Sequence, residues 1–215
     1  QQRFAAAKER CFYSAELDPV TVPGPKRRET TVVTDDEHPR PGTTDEKLAR
    51  LRPLFEGGVV TAGNASGIND GAAALLVGSL AVGKRAGATP LARVVSAAAA
   101  GVEPRVMGLG PVPASKKALL RAGLTLADMD VIEINEAFAA QVLGCLKQLE
   151  IAPDDSRVNP NGGAIAVGHP LGASGARLAL TATRQLERSQ GRYALVTLCI
   201  GVGQGLAAIL ERVSP

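Results

Sequence analysis

From residue 89 onward, short apolar runs alternate with amphipathic stretches, and this pattern admits few architectures. "LARVVSAAAAG", "MDVIEI", "RYALVTLC" and "LAAILERV" are bounded by turn formers, as buried strands are. Between them, "VPASKKALLRAG" reads as a helix closed by Gly123, followed by helices in "NEAFAAQVLGCLKQLE" and "HPLGASGARLALTATRQLERS". Phe138, Val142, Cys145, Leu146 and Leu149 recur on one face of the middle helix. Strands alternating with helices imply a layered α/β domain. The two closing strands, joined by "IGVGQG", imply an antiparallel edge or a mixed sheet. An earlier run, "DGAAALLVGS", also reads as a buried strand.

Residues 1–60 have another character. "QQRFAAAKERCF" reads as a helix already in progress, with no initiating Met and no cap, so the chain is expected to begin inside a larger protein. The segment after it is rich in Pro, Thr and charge, which leaves one short strand at 30–34 and one helix near 45–52. Such a region is a lid or elaboration, not a core.

Composition narrows the function. The chain is 45% hydrophobic and 21% charged, as globular domains are. Only 3% is aromatic and there is no Trp, which argues against base-stacking surfaces and hence against a nucleic-acid partner. The basic patch at Lys26, Arg27 and Arg28 reads either as a solvated loop or as a site for a phosphorylated ligand. Three widely spaced cysteines without metal-type spacing imply a reducing, cytoplasmic setting. No apolar run approaches the ~20 residues a membrane helix needs, so no membrane association is expected.

Two phosphate-loop look-alikes fail. "GSLAVGKR" ends in Arg where a P-loop needs Ser or Thr, and "GVGQG" is followed by a strand instead of a helix. Three polar residues survive, each at an element end where ligands collect in open α/β sheets. Asn135 ends the strand "DVIEI" and is either a helix N-cap or a functional amide. Cys199 closes "YALVTLC" and is either core packing or a reactive thiol. His169, set among Gly, Ala and Pro in "GGAIAVGHPLGASGAR", is either structural or approached closely by a ligand.

Taken together, these stretches resemble the thiolase family. "NEAFAAQ", "NPNGGAIAVGHPLGASGAR" and "CIGVGQG" occur in the order and spacing of its three C-terminal motifs, and "DEHPRPGTT" and "TAGNASGINDGAAA" are similar to its middle region. The wording is most similar to that of the β-ketoadipyl-CoA thiolases, with the acetyl-CoA acetyltransferases close behind. The resemblance implies thiolysis of 3-ketoacyl-CoA, or Claisen condensation in reverse, with coenzyme A as substrate and no metal or other cofactor. It implies that His169 activates the nucleophile and donates to the thioester oxygen, that Asn135 holds a water completing that oxyanion site, and that Cys199 is the acid/base. Gly201 N–H would bind the acyl-enzyme oxyanion. Ser66, Ala62 and Phe138 would line the pantetheine channel, and Arg40 would contact CoA.

The fold implied is the thiolase fold, a layered α/β/α arrangement with a mixed five-stranded sheet, preceded by part of the loop domain. The expected division is 1–60 for the loop (lid and tetramerisation) region, 61–88 for the last strand and helix of the N-terminal core domain, and 89–215 for the C-terminal core domain. The acylated cysteine of the family lies in a motif that this sequence lacks; Cys11 and Cys145 stand in other contexts. The expected partners are therefore a CoA thioester, an N-terminal thiolase half, and further copies in a dimer or tetramer. An apolar helix layer would stay bare without that half. The alternative is a non-catalytic CoA-thioester binding or assembly half.

Overall fold

The computed structural model describes residues 1–24, 26 and 29–213. In chain order the helices are α1 (Gln2–Glu9), α2 (Asp45–Ala49), α3 (Leu80–Arg85), α4 (Pro111–Ala122), α5 (Ala139–Gln148), α6 (Ala164–Val167) and α7 (Ser174–Ser189). The strands are β1 (Val20–Pro23), β2 (Thr30–Val33), β3 (Ala92–Gly101), β4 (Val131–Ile134), β5 (Tyr193–Ile200) and β6 (Gln204–Arg212). Strands β1 and β2 form an antiparallel ribbon, and the other four make one sheet in the order β3-β6-β5-β4. β6 runs antiparallel to β3 and β5, while β4 is parallel to β5. The sheet is mixed, as expected, but the closing hairpin β5–β6 forms its centre, not its edge.

Alternation along the strands assigns the two faces. Ile132, Ile134, Leu195 and Ile209 pack with α4 and α5 on one side, whereas Val131, Ala194, Val196 and Leu210 pack under Leu178, Ala182 and Leu186 of α7 on the other. All four residues of β4 are buried. Burial on both faces is why "VIEI" shows no polar alternation. The outer edge of β4 is closed by a loop: Ile132 N donates to Arg157 O at 2.8 Å and Asn159 N donates to Ile132 O at 2.9 Å.

Helix α4 starts with Pro111 at its first position and ends where Gly123 takes the left-handed conformation, with Leu124 N donating to Leu119 O at 3.1 Å. Gly110 and Gly205 bring the start of α4 against β6 backbone to backbone, so a Cβ on either would overlap the other segment's main chain.

Two sequence expectations change. The described sheet has four strands, not five: beyond β4 the chain contributes only an isolated parallel bridge, Val158 to Ile132, and "DGAAALLVGS", expected in the preceding domain, forms no strand either, with Leu76 93% exposed and no neighbour to take its backbone hydrogen bonds. The exposed apolar surface also reaches beyond the helix layer foreseen, since the 68–80 segment joins Leu120 of α4 and Leu143 of α5 in standing exposed. α7 is covered by residues 12–16, with Phe12 buried beneath Arg188 and Glu16 accepting from Thr181 Oγ1 at 2.9 Å, whereas Ile68, Leu76, Val77 and Leu80 stand exposed. In the basic patch, Lys26 pairs with Glu29 at 3.6 Å, and Arg27 and Arg28 lie outside the described residues. Among the described residues no helix is long and apolar enough to cross a membrane.

Candidate active site

Asn135 and His169, 34 residues apart, meet: Asn135 Nδ2 is 3.2 Å from His169 Nε2. Asn135 is fully buried just beyond β4, where its N–H donates to Thr197 O at 3.0 Å. It is not an N-cap, since α5 begins four residues later with Phe138 in that place. His169 precedes α7 by five residues; its backbone N–H donates to Gly67 O at 3.0 Å. On the far side of the ring, Nδ1 lies 2.6 Å from Ser174 Oγ. The Ser174 hydroxyl donates to Pro170 O at 3.0 Å, so it accepts from Nδ1–H. That assignment leaves Nε2 as the unprotonated nitrogen, accepting from the Asn135 amide. Burial, with Arg177 nearby, holds the imidazole below its usual range, so the neutral ring is the resting form.

Cys199 lies near the C-terminal end of β5, beside the parallel strand that Asn135 follows. It is buried, and burial pushes its thiol above the ordinary value. Among the described residues desolvation prevails over the one backbone hydrogen bond that favours the thiolate. Cys199 thus rests as a thiol. Cys145, on the buried face of α5, donates to Gly108 O at 3.2 Å and is pushed up to about 11 by burial, in keeping with inert packing. Gly201 sits in the exposed turn between β5 and β6, and a Cβ there would meet nothing within 4 Å.

Not every glycine near the site makes room for a ligand. Gly168, at φ +91°, is required because a Cβ would overlap the Asn69 side chain, and Gly203, at φ +92°, because one would overlap Val102 O. Gly172 and Gly175 have no atom within 4 Å of such a Cβ, so the front of α7 is not tightly packed at these glycines.

Ser66 joins the cluster: its N–H donates to Ala137 O at 3.0 Å, and Ala65 bridges to Phe138. Ala62 is exposed in the turn held by Asn64, whose Oδ1 accepts from Thr61 N at 2.7 Å. Arg40 is not brought to the cluster. Its guanidinium curls onto its own loop, donating to the carbonyls of Glu37, His38 and Pro39 at 2.8, 2.6 and 3.1 Å.

Several contributors carry only a faint signal in the sequence. Ser174 stands in the quoted "HPLGASGAR" one turn after the histidine, a spacing that brings it back to the ring. Glu136 ties the first and second C-terminal motifs together by accepting from Asn159 Nδ2 at 2.9 Å and Ile165 N at 3.1 Å. Glu133 is a carboxyl inside an apolar strand, a signal that should have prompted a search for its partner. It is fully buried, 3.8 Å from Arg177 Nη1, and pushed up to about 8, chiefly by desolvation. That separation is too long for a hydrogen bond, so burial outweighs the cation and the carboxyl holds its proton at neutrality.

Beside this arrangement, residues 69–73 and 170–173 line an open cleft of about 370 Å³. Among the described residues no group of three or more His, Cys, Asp or Glu is placed to hold a metal ion.

Residues 1–80 match the family model of the thiolase N-terminal domain, and residues 88–212 that of the thiolase C-terminal domain. The 3-oxoadipyl-CoA/3-oxo-5,6-dehydrosuberyl-CoA thiolase of Escherichia coli K12 and a β-ketoadipyl-CoA thiolase of Pseudomonas aeruginosa are each 58% identical over 214 residues, 99% of this chain and 53% of theirs. Among solved structures, the Bacillus anthracis acetyl-CoA acetyltransferase superposes with a TM-score of 0.93 at 42% identity, covering 98% of this chain and 53% of that one. Human mitochondrial 3-ketoacyl-CoA thiolase in complex with CoA gives 0.87 at 43% identity, covering 99% and 52%. The chain spans about half the length of the curated relatives it matches. On these matches, and with its fold, the chain belongs to the thiolase family.

Proposed function

We propose that this chain supplies the proton-transfer and oxyanion-binding groups of a thiolase that cleaves 3-ketoacyl-CoA with CoA into acetyl-CoA and a shortened acyl-CoA, or runs the reverse condensation. Its nucleophilic cysteine would come from the part of its relatives that this chain does not span. The observation that carries the reading is the Asn135–His169 contact, which leaves a neutral imidazole with its Nε2 lone pair held by an amide. β-Ketoadipyl-CoA is the first substrate to try, on the identity to thiolases named for it, and acetoacetyl-CoA the second.

Nε2 of His169 takes the proton of the nucleophile, whose thiolate attacks the 3-keto carbon. Breaking the C2–C3 bond leaves the shortened acyl group on that cysteine and acetyl-CoA as its enolate. The negative charge gathers on the thioester oxygen, where the imidazolium donates from Nε2; Asn135 Oδ1, buried without a protein partner, accepts from a water that donates to the same oxygen. Cys199, resting as the thiol, protonates the α-carbon, and its thiolate then takes the proton of incoming CoA as that attacks the acyl-enzyme. The nucleophilic cysteine leaves as its thiolate and recovers its proton from the His169 imidazolium. Gly201 N–H steadies the acyl oxyanion. Ser66, Ala62 and Phe138 lie along the pantetheine channel, and Arg40 must uncurl to reach CoA.

The division at about residues 60 and 88 remains our reading of the domains, supported by the hairpin-and-loop character of the first part and the sheet that begins at β3. Assembly as a dimer or tetramer and a cytoplasmic location are proposed with it, the latter on the three free cysteines. No cofactor beyond CoA as substrate enters the scheme.

The test uses the protein at the full length its gene encodes. CoA-dependent loss of 3-ketoacyl-CoA should fall at least ~100-fold in His169→Ala and in Cys199→Ala, the usual range for a general acid or base. Turnover untouched by Cys199→Ala would remove Cys199 from the proton transfers, and a full-length wild type that binds a CoA thioester without turning it over would favour the non-catalytic binding alternative instead.

A further inference from the structure

Glu136 directly follows Asn135, and its carboxylate crosses to the chain that leads into His169. Oε1 accepts from Asn159 Nδ2 at 2.9 Å, and Oε2 accepts from Ile165 N at 3.1 Å. Ile165 is the second residue of α6 and stands four residues before His169. A Cβ on Gly163 would come within 2.3 Å of the Glu136 carboxyl, so the chain entering α6 lies hard against it.

Each side of the Asn135–His169 contact is tied to its own surroundings. On the strand side, the Asn159 side chain continues the ladder of β4 as a neighbouring strand would. Its Nδ2 donates to Ile134 O and its Oδ1 accepts from Ile134 N, both at 2.9 Å. The next N–H along, that of Asn135, donates to Thr197 O at 3.0 Å. On the histidine side, Gln1 Nε2 donates to Ile165 O at 2.8 Å, and Gly168 N closes α6 by donating to Ala164 O at 2.8 Å. His169 N then donates to Gly67 O at 3.0 Å. Glu136 binds both sides at once. A carboxylate suits that post, because both oxygens accept, neither offers a competing donor, and its hydrogen bonds are charge-assisted.

We propose that Glu136 is a positioning residue: its carboxylate clamps α6 to the end of β4 and so holds His169 Nε2 within hydrogen-bond distance of the Asn135 amide. The inference rests on the thiolase reading and deepens it. Between the clamp and the imidazole stands a single helical turn, so a shift at Ile165 is passed on to His169 with little slack. Misplacing a reacting group by about 1 Å can cost about 10²-fold in rate.

Two variants of the full-length protein loosen the clamp in different ways. In Glu136→Gln the one amide oxygen can accept from Asn159 or from Ile165 but not from both, and its NH₂ faces the donor left over. In Gly163→Ala every group of the clamp remains, but the new methyl must push the carboxylate aside; the extended backbone there accepts alanine. Each should lower kcat for acetoacetyl-CoA thiolysis about 10–100-fold while KM for CoA stays within about threefold. In an Asn135→Ala background, where the contact is already gone, each should cost no more than about threefold. The ¹⁵N resonance of His169 Nε2, told from His38 with a His38→Gln variant, should move toward that of a nitrogen accepting no hydrogen bond.

A side chain that only stabilises the fold would give equal costs in the two backgrounds and leave the Nε2 resonance in place. Either result overturns the proposal, as does a folded Glu136→Gln with the wild-type kcat. Should Glu136→Gln not fold, Gly163→Ala decides by the same readouts. A wild-type protein without thiolysis would instead defeat the functional reading, and the Nε2 resonance would still judge the clamp.

Discussion

Asn135 Nδ2 approaches His169 Nε2 to 3.2 Å, although one residue follows β4 and the other lies in the loop between α6 and α7. The contact makes the ring nitrogen an acceptor and faces it with an amide that can also order a water. Asn135→Ala should therefore lower kcat by about 10²–10³, the usual cost of one oxyanion-site donor, with a smaller effect on KM for CoA. Steady-state kinetics on the full-length protein checks this, and an unchanged kcat would show that the amide only packs.

Ser174 determines which ring nitrogen carries the proton. Replacing it with alanine removes the acceptor 2.6 Å from Nδ1 and should cost about tenfold in kcat/KM by letting the tautomers mix. The ¹⁵N shifts of the His169 ring should move from those of an Nδ1–H tautomer toward a mixture. A ring that keeps one tautomer in Ser174→Ala would contradict the hydrogen-bond chain drawn from His169 to Pro170.

Burial of Glu133 has a stability signature of definite sign. The folded carboxyl ionises near pH 8, against about 4.5 for the free group. Between those values the folded state holds a proton that the unfolded state has lost, so stability falls as pH rises through the window. At 1.36 kcal/mol per unit the span is roughly 5 kcal/mol. Glu133→Gln should consequently gain Tm over the wild type as pH rises from 5 to 8.5, with little difference below 4.5. Thermal melts showing a Tm difference independent of pH would mean that the carboxyl is not protonated in the folded protein.

The glycines separate into two kinds that mutation should distinguish. Gly205→Ala drives a methyl into the Gly110 backbone and should cost about 2–3 kcal/mol through forced displacement of α4 from β6. Gly175→Ala, on a helix with open space beside it, should be neutral or stabilising by up to ~1 kcal/mol. Equal Tm values for the two variants would contradict the close approach of Gly110 and Gly205.

Much of this was legible in the sequence because it depends on local pattern. The period of the apolar residues revealed β4, α5, α7 and the β5–β6 hairpin, and Gly123 announced the end of α4. Asn135, His169 and Cys199 were found from their places at element ends. The missing parts depend on distance in space. "DGAAALLVGS" has the composition of a strand, but composition cannot supply the neighbouring strand that would make it one. The Ser174–His169 bond arises from a Pro170-initiated turn that doubles back, and the Glu133–Arg177 pair joins residues 44 positions apart across the sheet-to-helix interface. The need for Gly168 is equally invisible in the local pattern, because its neighbour, Asn69, lies in a loop about 100 residues earlier in the chain.

The central claim is that His169, Asn135 and Cys199 serve an acyl transfer whose nucleophile is another residue. Intact-mass and peptide mass spectrometry of the full-length protein, quenched in denaturant after brief incubation with acetoacetyl-CoA, tests it most directly. The account predicts one acetyl group on a cysteine outside residues 1–215, with residues 1–215 unmodified. Acetyl found on Cys11, Cys145 or Cys199 would contradict it.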